Sequence, residues 1–267
     1  MDWKLELVAI PVSDVDRAKA FYTEKAGFTA DHDITVSDET RFVQLTPPGS
    51  ACSITLGTGI SDAPLGSARA QIVVSDNSGR ARGARRARGR GQRRPGVPVG
   101  LVRLLQRPGR QPVGGAAAAA AHLRRFAMDL KLELVLIPVS DVDRAKSFYV
   151  ETVGFSLDVD HEISDEFRVV QMTPPGSACS ITVGKGITDA LPGSVRGTHL
   201  VVSDIETARA ELVERGVEVT EVRHMTSSGW MPGPDPEHRD YGSFADFSDP
   251  DGNTWVLQEV RVGKPGA

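Results

Sequence analysis

MDLKLELVLIPVSDVDRAKSFY, residues 128–149, decides how this chain is read, because MDWKLELVAIPVSDVDRAKAFY at residues 1–22 is nearly the same text. At a constant offset of 127, residues 4–57 and 131–184 agree at 39 of 54 positions. An internal repeat of this length marks a duplicated structural unit, so the fold is read once and applied twice. Met128 opens the second copy as Met1 opens the first, and residues 128–267 are expected to be a complete protein in their own right.

Working outward, KLELVLIPV at 131–139 is apolar and β-prone and predicts a strand. A helix follows from Asp141 to about Thr152, ended by Gly154, since glycine adopts the left-handed conformation that closes a helix. Strands are expected near 155–161, 167–173 and 178–183, with a Pro-Pro-Gly turn before the last of them. The first copy repeats this β-α-β-β-β order. Its strand near 4–12 leads to a helix capped by Ser13 or Asp14 and ended at Gly27, then to strands near 28–34, 41–46 and 51–56. A further strand at Ala70–Val74 follows. After the second copy's unit, His199–Val202 opens another. Ser203 is expected to cap its helix in a capping box with Glu206, and Gly216 to end it. Val217–Val222 is read as a strand and 224–242 as a long loop. Strands at 243–248 and 254–260 form a hairpin around Asp249-Pro250-Asp251-Gly252-Asn253.

The formal charge of −4 hides two unlike parts. Thirteen of the 31 basic residues are Arg within 77–127, which has no Asp or Glu, so the other 216 residues set 18 basic against 35 acidic side chains. A basic arm for nucleic acid is one reading of that stretch, and a disordered linker is another. A third explains more. Read one base later, codons for 80–91 can spell residues 208–219 of the second copy, and those for 97–119 can spell a near-match to 241–260. A one-base slip after Asp76 then turned the back half of the first copy into Arg/Ala/Gly-rich out-of-frame text, and nucleic acid is not a partner. The expected organisation is a truncated half-domain at 1–76, a linker at 77–127 and a complete domain at 128–267.

No apolar run approaches the length of a membrane span, and no charged-then-apolar leader opens the chain, so a cytoplasmic protein with no membrane partner is expected. Cys52 and Cys179 stand at matching positions in SACSIT, and are read as small buried apolar residues.

Three motifs carry a family resemblance: IPVSDVDRAKSFY with Gly154-Phe155, THLVVSD at 198–204, and FSDPDGNTWVLQE at 247–259. They resemble the vicinal oxygen chelate superfamily, which includes glyoxalase I, bleomycin-resistance proteins and extradiol dioxygenases. The resemblance implies an α+β fold in which paired βαβββ modules form an incomplete eight-stranded barrel, with one truncated extra module here. It also implies a small-molecule ligand in the barrel's cup, and leaves open a homodimer formed through the modules.

Metal-dependent members place His, Gln or Glu at four inward strand positions. Here the resemblance puts those positions at Leu134, in the Ser180–Thr182 strand, at His199 and at Val256, so His199 is the one matching ligand. No cofactor is firmly implied, though a divalent metal stays open. The expected site is therefore His199 as general base or hydrogen-bonding anchor, in a cup with Leu134, Ser180, Val256 and Gln258. Arg168 and Gln171 are further candidates from a neighbouring strand, and Trp230 and Tyr241 from a covering loop. A structural histidine bonded to a neighbouring strand is the alternative for His199, and loop packing for Trp230 and Tyr241. The function implied is a glyoxalase- or bleomycin-resistance-like protein that binds or acts on a small molecule without the standard metal site. The alternative is a metal-dependent lyase, isomerase or dioxygenase with other ligands.

Overall fold

The computed structural model describes residues 3–76, 102–103, 128–226 and 228–261. The linker expected at 77–127 lies outside the described residues except for one short strand. The elements run β1 (Lys4–Ala9), α1 (Val15–Ala20), β2 (Thr29–Ser37), β3 (Thr40–Thr46), β4 (Ser53–Thr58), β5 (Arg69–Asp76) and β6 (Val102–Arg103). The second copy follows with β7 (Met128–Leu136), α2 (Val142–Ser147), β8 (Ser156–Ser164), β9 (Phe167–Thr173) and β10 (Ser180–Lys185). The chain continues with β11 (Thr198–Val202), α3 (Ile205–Glu214), β12 (Arg223–Thr226), β13 (Gly229–Pro232), β14 (Ser243–Ser248) and β15 (Thr254–Glu259).

The helices start where a short acidic side chain meets free backbone N–H groups. Asp14 accepts from the Arg17 amide at 2.9 Å, and Asp141 accepts from Asp143 and Arg144 at 3.0 Å. For α3 the cap is Asp204, bonded to the Thr207 amide at 2.9 Å, and not Ser203. The carboxylate stands one residue closer to the first turn, so the N3 amide that is capped is that of Thr207 and not that of Glu206. Helices α1 and α2 each widen into a π turn, with the Ala26 amide bonded to the Phe21 carbonyl and the Gly154 amide to the Tyr149 carbonyl. Gly154, at φ 96°, then reverses the chain.

Two expectations near the C-terminal unit change. Residues 217–222 form no strand; a single bridge joins Val219 to Phe247, and Thr220 bonds through its amide to the Asp246 carbonyl. The loop at 224–242 contains regular structure, because β12 and β13 pair as a hairpin. Thr226 Oγ1 closes it by donating to the Gly229 carbonyl at 2.9 Å. The turn is built by a threonine side chain, so no Asn-Gly or Asp-Gly signal announces it.

The strands make two sheets. One has nine strands in the order β13-β12-β14-β15-β11-β1-β4-β3-β2, and the other has six in the order β6-β5-β7-β10-β9-β8. The pairing does not follow the copies. The βαβββ unit of the first copy shares its sheet with the last unit of the second, through antiparallel β1–β11 pairing. The unit at 131–185 shares its sheet with β5, left over from the first copy. Residues 128–267 hold both units of one copy, yet in this arrangement those two units lie in different sheets.

Reciprocal bonds join the sheets at their middle. The Leu5 amide donates to Ser177 Oγ and the Leu132 amide to Ser50 Oγ, each at 3.1 Å. These are the same atoms exchanged between copies, so the two halves meet about a local pseudo-twofold. Cys52 and Cys179 are buried free thiols close to it, and burial pushes the Cys52 thiol up. One continuous apolar core runs through both sheets and the three α-helices among the described residues, including Leu45, Leu56, Tyr149, Ile181, Leu212 and Trp255.

The two units of the second copy are tied differently, through the Asp249–Asn253 turn. Tyr149 Oη donates to Asp249 Oδ2 at 2.8 Å, and Trp255 Nε1 donates to Tyr149 Oη at 3.1 Å. Asn253 Nδ2 reaches both the Pro138 carbonyl at 3.0 Å and Asp249 Oδ2 at 2.7 Å. The turn's acidic and amide side chains are used in packing. No helix among the described residues is long and apolar enough to cross a membrane.

Candidate functional site

Residues directly opposite one another on paired strands share a face of the sheet. His199 on β11 stands opposite Val256 on β15 and, across the other edge, opposite Leu7 on β1. Leu7 in turn faces Ser53 on β4, and Val256 faces Asp246 on β14. One row therefore crosses the nine-stranded sheet: Asp246, Val256, His199, Leu7 and Ser53. Its neighbours in sequence, such as Leu200, Ile54, Trp255 and Leu257, point the other way into the helix-backed core. The row lies on the face turned away from the helices.

This row is drawn from both copies. Leu134 and Ser180, the positions sequence reasoning assigned to the His199 cup, lie in the six-stranded sheet and form a row with Gln71. Gln171 is beside them, with Nε2 3.3 Å from Ser180 Oγ. Their counterparts at the offset of 127, Leu7, Ser53 and Gln44, are the ones that share a sheet with His199. Strand pairing beyond the repeat unit is not written in either copy, so the sequence did not show which copy's strands lie beside β11.

Arg168 leaves the cup altogether. It alternates with Val170 and lies on the helix side of β9, where it bonds Asp160 through Nε and Nη2 at 2.9 Å and Asp143 through Nη1 at 2.9 Å. Hydrogen bonds from Arg168 and then Lys146 hold the Asp160 carboxyl well below its usual range. Arg41, Asp33, Asp16 and Lys19 repeat this cluster in the first copy. A charge pair of this type fastens hairpin to helix.

The other candidates come together around His199. Its Nδ1 lies 3.0 Å from Gln258 Oε1, and Gln258 Nε2 donates to the Tyr241 carbonyl at 3.2 Å. Tyr241 sits at φ 65°, with its amide bonded to the Glu259 carbonyl at 2.7 Å. From there its hydroxyl reaches Glu6 Oε2 of the first copy at 3.3 Å. Burial, with Glu6 nearby, pushes the Tyr241 phenol up to about 12. Burial also pulls the His199 pKa down, against the opposing pull of Gln258 and Asp246, and favours the neutral ring.

At the outer end of the sheet, half-exposed Trp230 meets Phe244 edge-on with centroids 5.3 Å apart. The Arg223 guanidinium lies 4.7 Å from the Trp230 ring centre and also pairs with Asp246. Glu6, Leu7, Arg223, Phe244 and Asp246 were missed by sequence reasoning. Strict alternation through SFADFS, anchored on the buried Phe247, marks Phe244 and Asp246 as the opposite face and was the available signal.

A family model, described as the Glyoxalase/Bleomycin resistance protein/Dioxygenase superfamily, matches residues 131–257. A glyoxalase/bleomycin resistance protein from Streptomyces sp. CB03234 is 38% identical, over 46% of this chain and 96% of that one, with a TM-score of 0.37. The chain belongs to this superfamily. TnmS3, an antibiotic binding protein from the same Streptomyces, is likewise 38% identical over 48% of this chain and 93% of its own, with a TM-score of 0.39. Glyoxalase I from Zea mays is 16% identical but covers 96% of this chain and 92% of its own at a TM-score of 0.59, a likeness of fold across both sheets.

The superfamily's metal row can be tested on this donor set. Ser53, Leu7, His199 and Val256 offer one imidazole and one hydroxyl, and that hydroxyl already bonds Thr46 Oγ1 at 2.6 Å. Two alkyl side chains occupy the remaining places. Divalent ions of this chemistry need three or four N, O or S ligands. Among the described residues, no group of three His, Cys, Asp or Glu side chains is placed to hold a metal ion. The row does not fit a metal.

Proposed function

We propose that this protein binds a small organic molecule without a metal, in the cup that residues 4–58 and 198–259 form together. The observation that carries this reading is the row Ser53, Leu7, His199 and Val256, in which the superfamily's ligand positions have become mostly apolar around one neutral histidine. An apolar hollow with a few convergent polar groups is the usual form of a small-molecule site. Similarity to TnmS3, an antibiotic binding protein, supports an antibiotic-like ligand that is bound and not transformed. A lyase or dioxygenase mechanism would need a ligand set that this row does not supply.

The test uses the full chain. Metal analysis of the purified protein is expected to find no stoichiometric Zn, Ni, Fe or Mn, and a thermal-shift screen of aromatic natural products is expected to raise the melting temperature. His199→Ala and Val256→Glu should each abolish the shift. One bound metal per chain would overturn the reading.

A further inference from the structure

We infer that His199 presents a bare Nε2 to the cup and thereby selects ligands that carry a hydroxyl on an apolar aromatic ring; the inference rests on the cup being the binding site. The argument begins two residues away. The Tyr241 carbonyl can only accept, so the Gln258 atom 3.2 Å from it is the amide nitrogen. The other end of that amide, Oε1, then faces His199 Nδ1 at 3.0 Å. A carbonyl oxygen cannot donate, so Nδ1 carries the proton. On a neutral ring the second nitrogen is left with its lone pair.

The surroundings make that lone pair available. Nε2 forms no hydrogen bond to the described residues, and the ring is half-buried on the cup face of β11. The flanking side chains on the same row, Val256 and Leu7, have no donor. Of the donors further out on that face, Arg223 is engaged with Asp246 and the Ser53 hydroxyl with Thr46 Oγ1. A ligand that brings its own O–H satisfies Nε2; one that offers only acceptors leaves a polar atom unpaired, and such mismatches discriminate strongly. Apolar flanks, with the aromatic edge of Trp230 and Phe244 beyond Asp246, suit a flat ring as the carrier of that hydroxyl. Gln258 and Tyr241 act through His199 and are positioning residues.

Long-range proton–nitrogen NMR correlation on the isotope-labelled full chain reads the tautomer directly, with His199 signals assigned by their loss in His199→Asn. The expected pattern is a protonated Nδ1 and a bare Nε2. The reverse pattern would overturn the inference before any ligand is added. Gln258→Leu is expected to mix the two tautomers; an unchanged pattern would remove Gln258 from its positioning role. Naphthol and its methyl ether are then compared as probes. Naphthol is expected to shift Nε2 and to bind at least tenfold more tightly than the ether. If both perturb the Trp230 indole equally and leave Nε2 unmoved, the cup stands and the hydroxyl selectivity falls. If neither perturbs any residue of the row, the binding-site reading falls with it.

Discussion

Tyr149 and Tyr22 occupy the same place in the two copies and do different work. Tyr149 Oη donates to the buried Asp249 carboxylate and accepts from Trp255, while Tyr22 Oη forms no hydrogen bond to the described residues. Tyr149→Phe removes a hydrogen bond to a charged group and leaves an indole N–H unpaired. A loss of about 1.5–3 kcal/mol is expected in denaturant unfolding. Tyr22→Phe is expected to change stability by less than about 0.5 kcal/mol. Equal losses would show that the first copy has its own partner for the phenol. At this scale the sequence was legible where a residue's place follows from its own strand. THLVVSD marks His199, strand alternation sets Gln258 on the face of Val256, and the two side chains meet at 3.0 Å. Its tautomer was not legible, because Gln258 is oriented by a backbone carbonyl 17 residues away, at a position whose φ the sequence does not announce. Arg168 was misplaced for a related reason. Phe167 and Val169 point to one side of β9 and Arg168 and Val170 to the other, so the run FRVV has no polar–apolar alternation to assign its face.

The two βαβββ units show how an element is held by charge as well as by core. In each, an arginine on the third strand clamps an aspartate on the second strand and another at the start of the helix. Hydrogen bonds from Arg41 and then Lys19 hold Asp33 below the usual carboxylate range, as Arg168 and Lys146 do for Asp160. A carboxyl whose pKa is lowered by folding adds stability that is complete above its unfolded value, near pH 4, and is lost as pH falls below it. The melting temperature should therefore drop on acidification from about pH 5 to pH 2. The double variant Asp33→Asn with Asp160→Asn should start a few degrees lower at neutral pH and show a flatter acid limb. An unchanged slope would remove these clusters from the acid response. The hairpins themselves were legible from Pro-Pro-Gly and the strand runs, and so was the turn at 249–253. The β12–β13 hairpin was hidden, since HMTSSGWMP carries neither a sustained alternation nor a primed-turn dipeptide.

At the scale of the whole molecule, the repeat announced three βαβββ units and the first strand of a fourth, and the pairing of first with last came only from the structure. Both β1 and β7 carry KLELV, so the strand text alone does not say which of them pairs with β11. Two outcomes follow. A chain cut at a protease site engineered between residues 77 and 127 should elute as one particle, because β1–β11 and β5–β7 pairing cross the cut. Separate elution of the two pieces would count against the nine-stranded sheet. Residues 128–267 made alone should form a dimer, with 131–185 of each chain standing in for 4–58 beside the other's β11, and the full chain should be a monomer by light scattering. A monomeric 128–267 fragment would show that its own two units can close on each other. The same crossing has a genetic meaning. The strands of the His199 row are encoded on either side of the Arg-rich stretch at 77–127, so an in-frame change confined to the codons between them leaves all five residues of the row as they are.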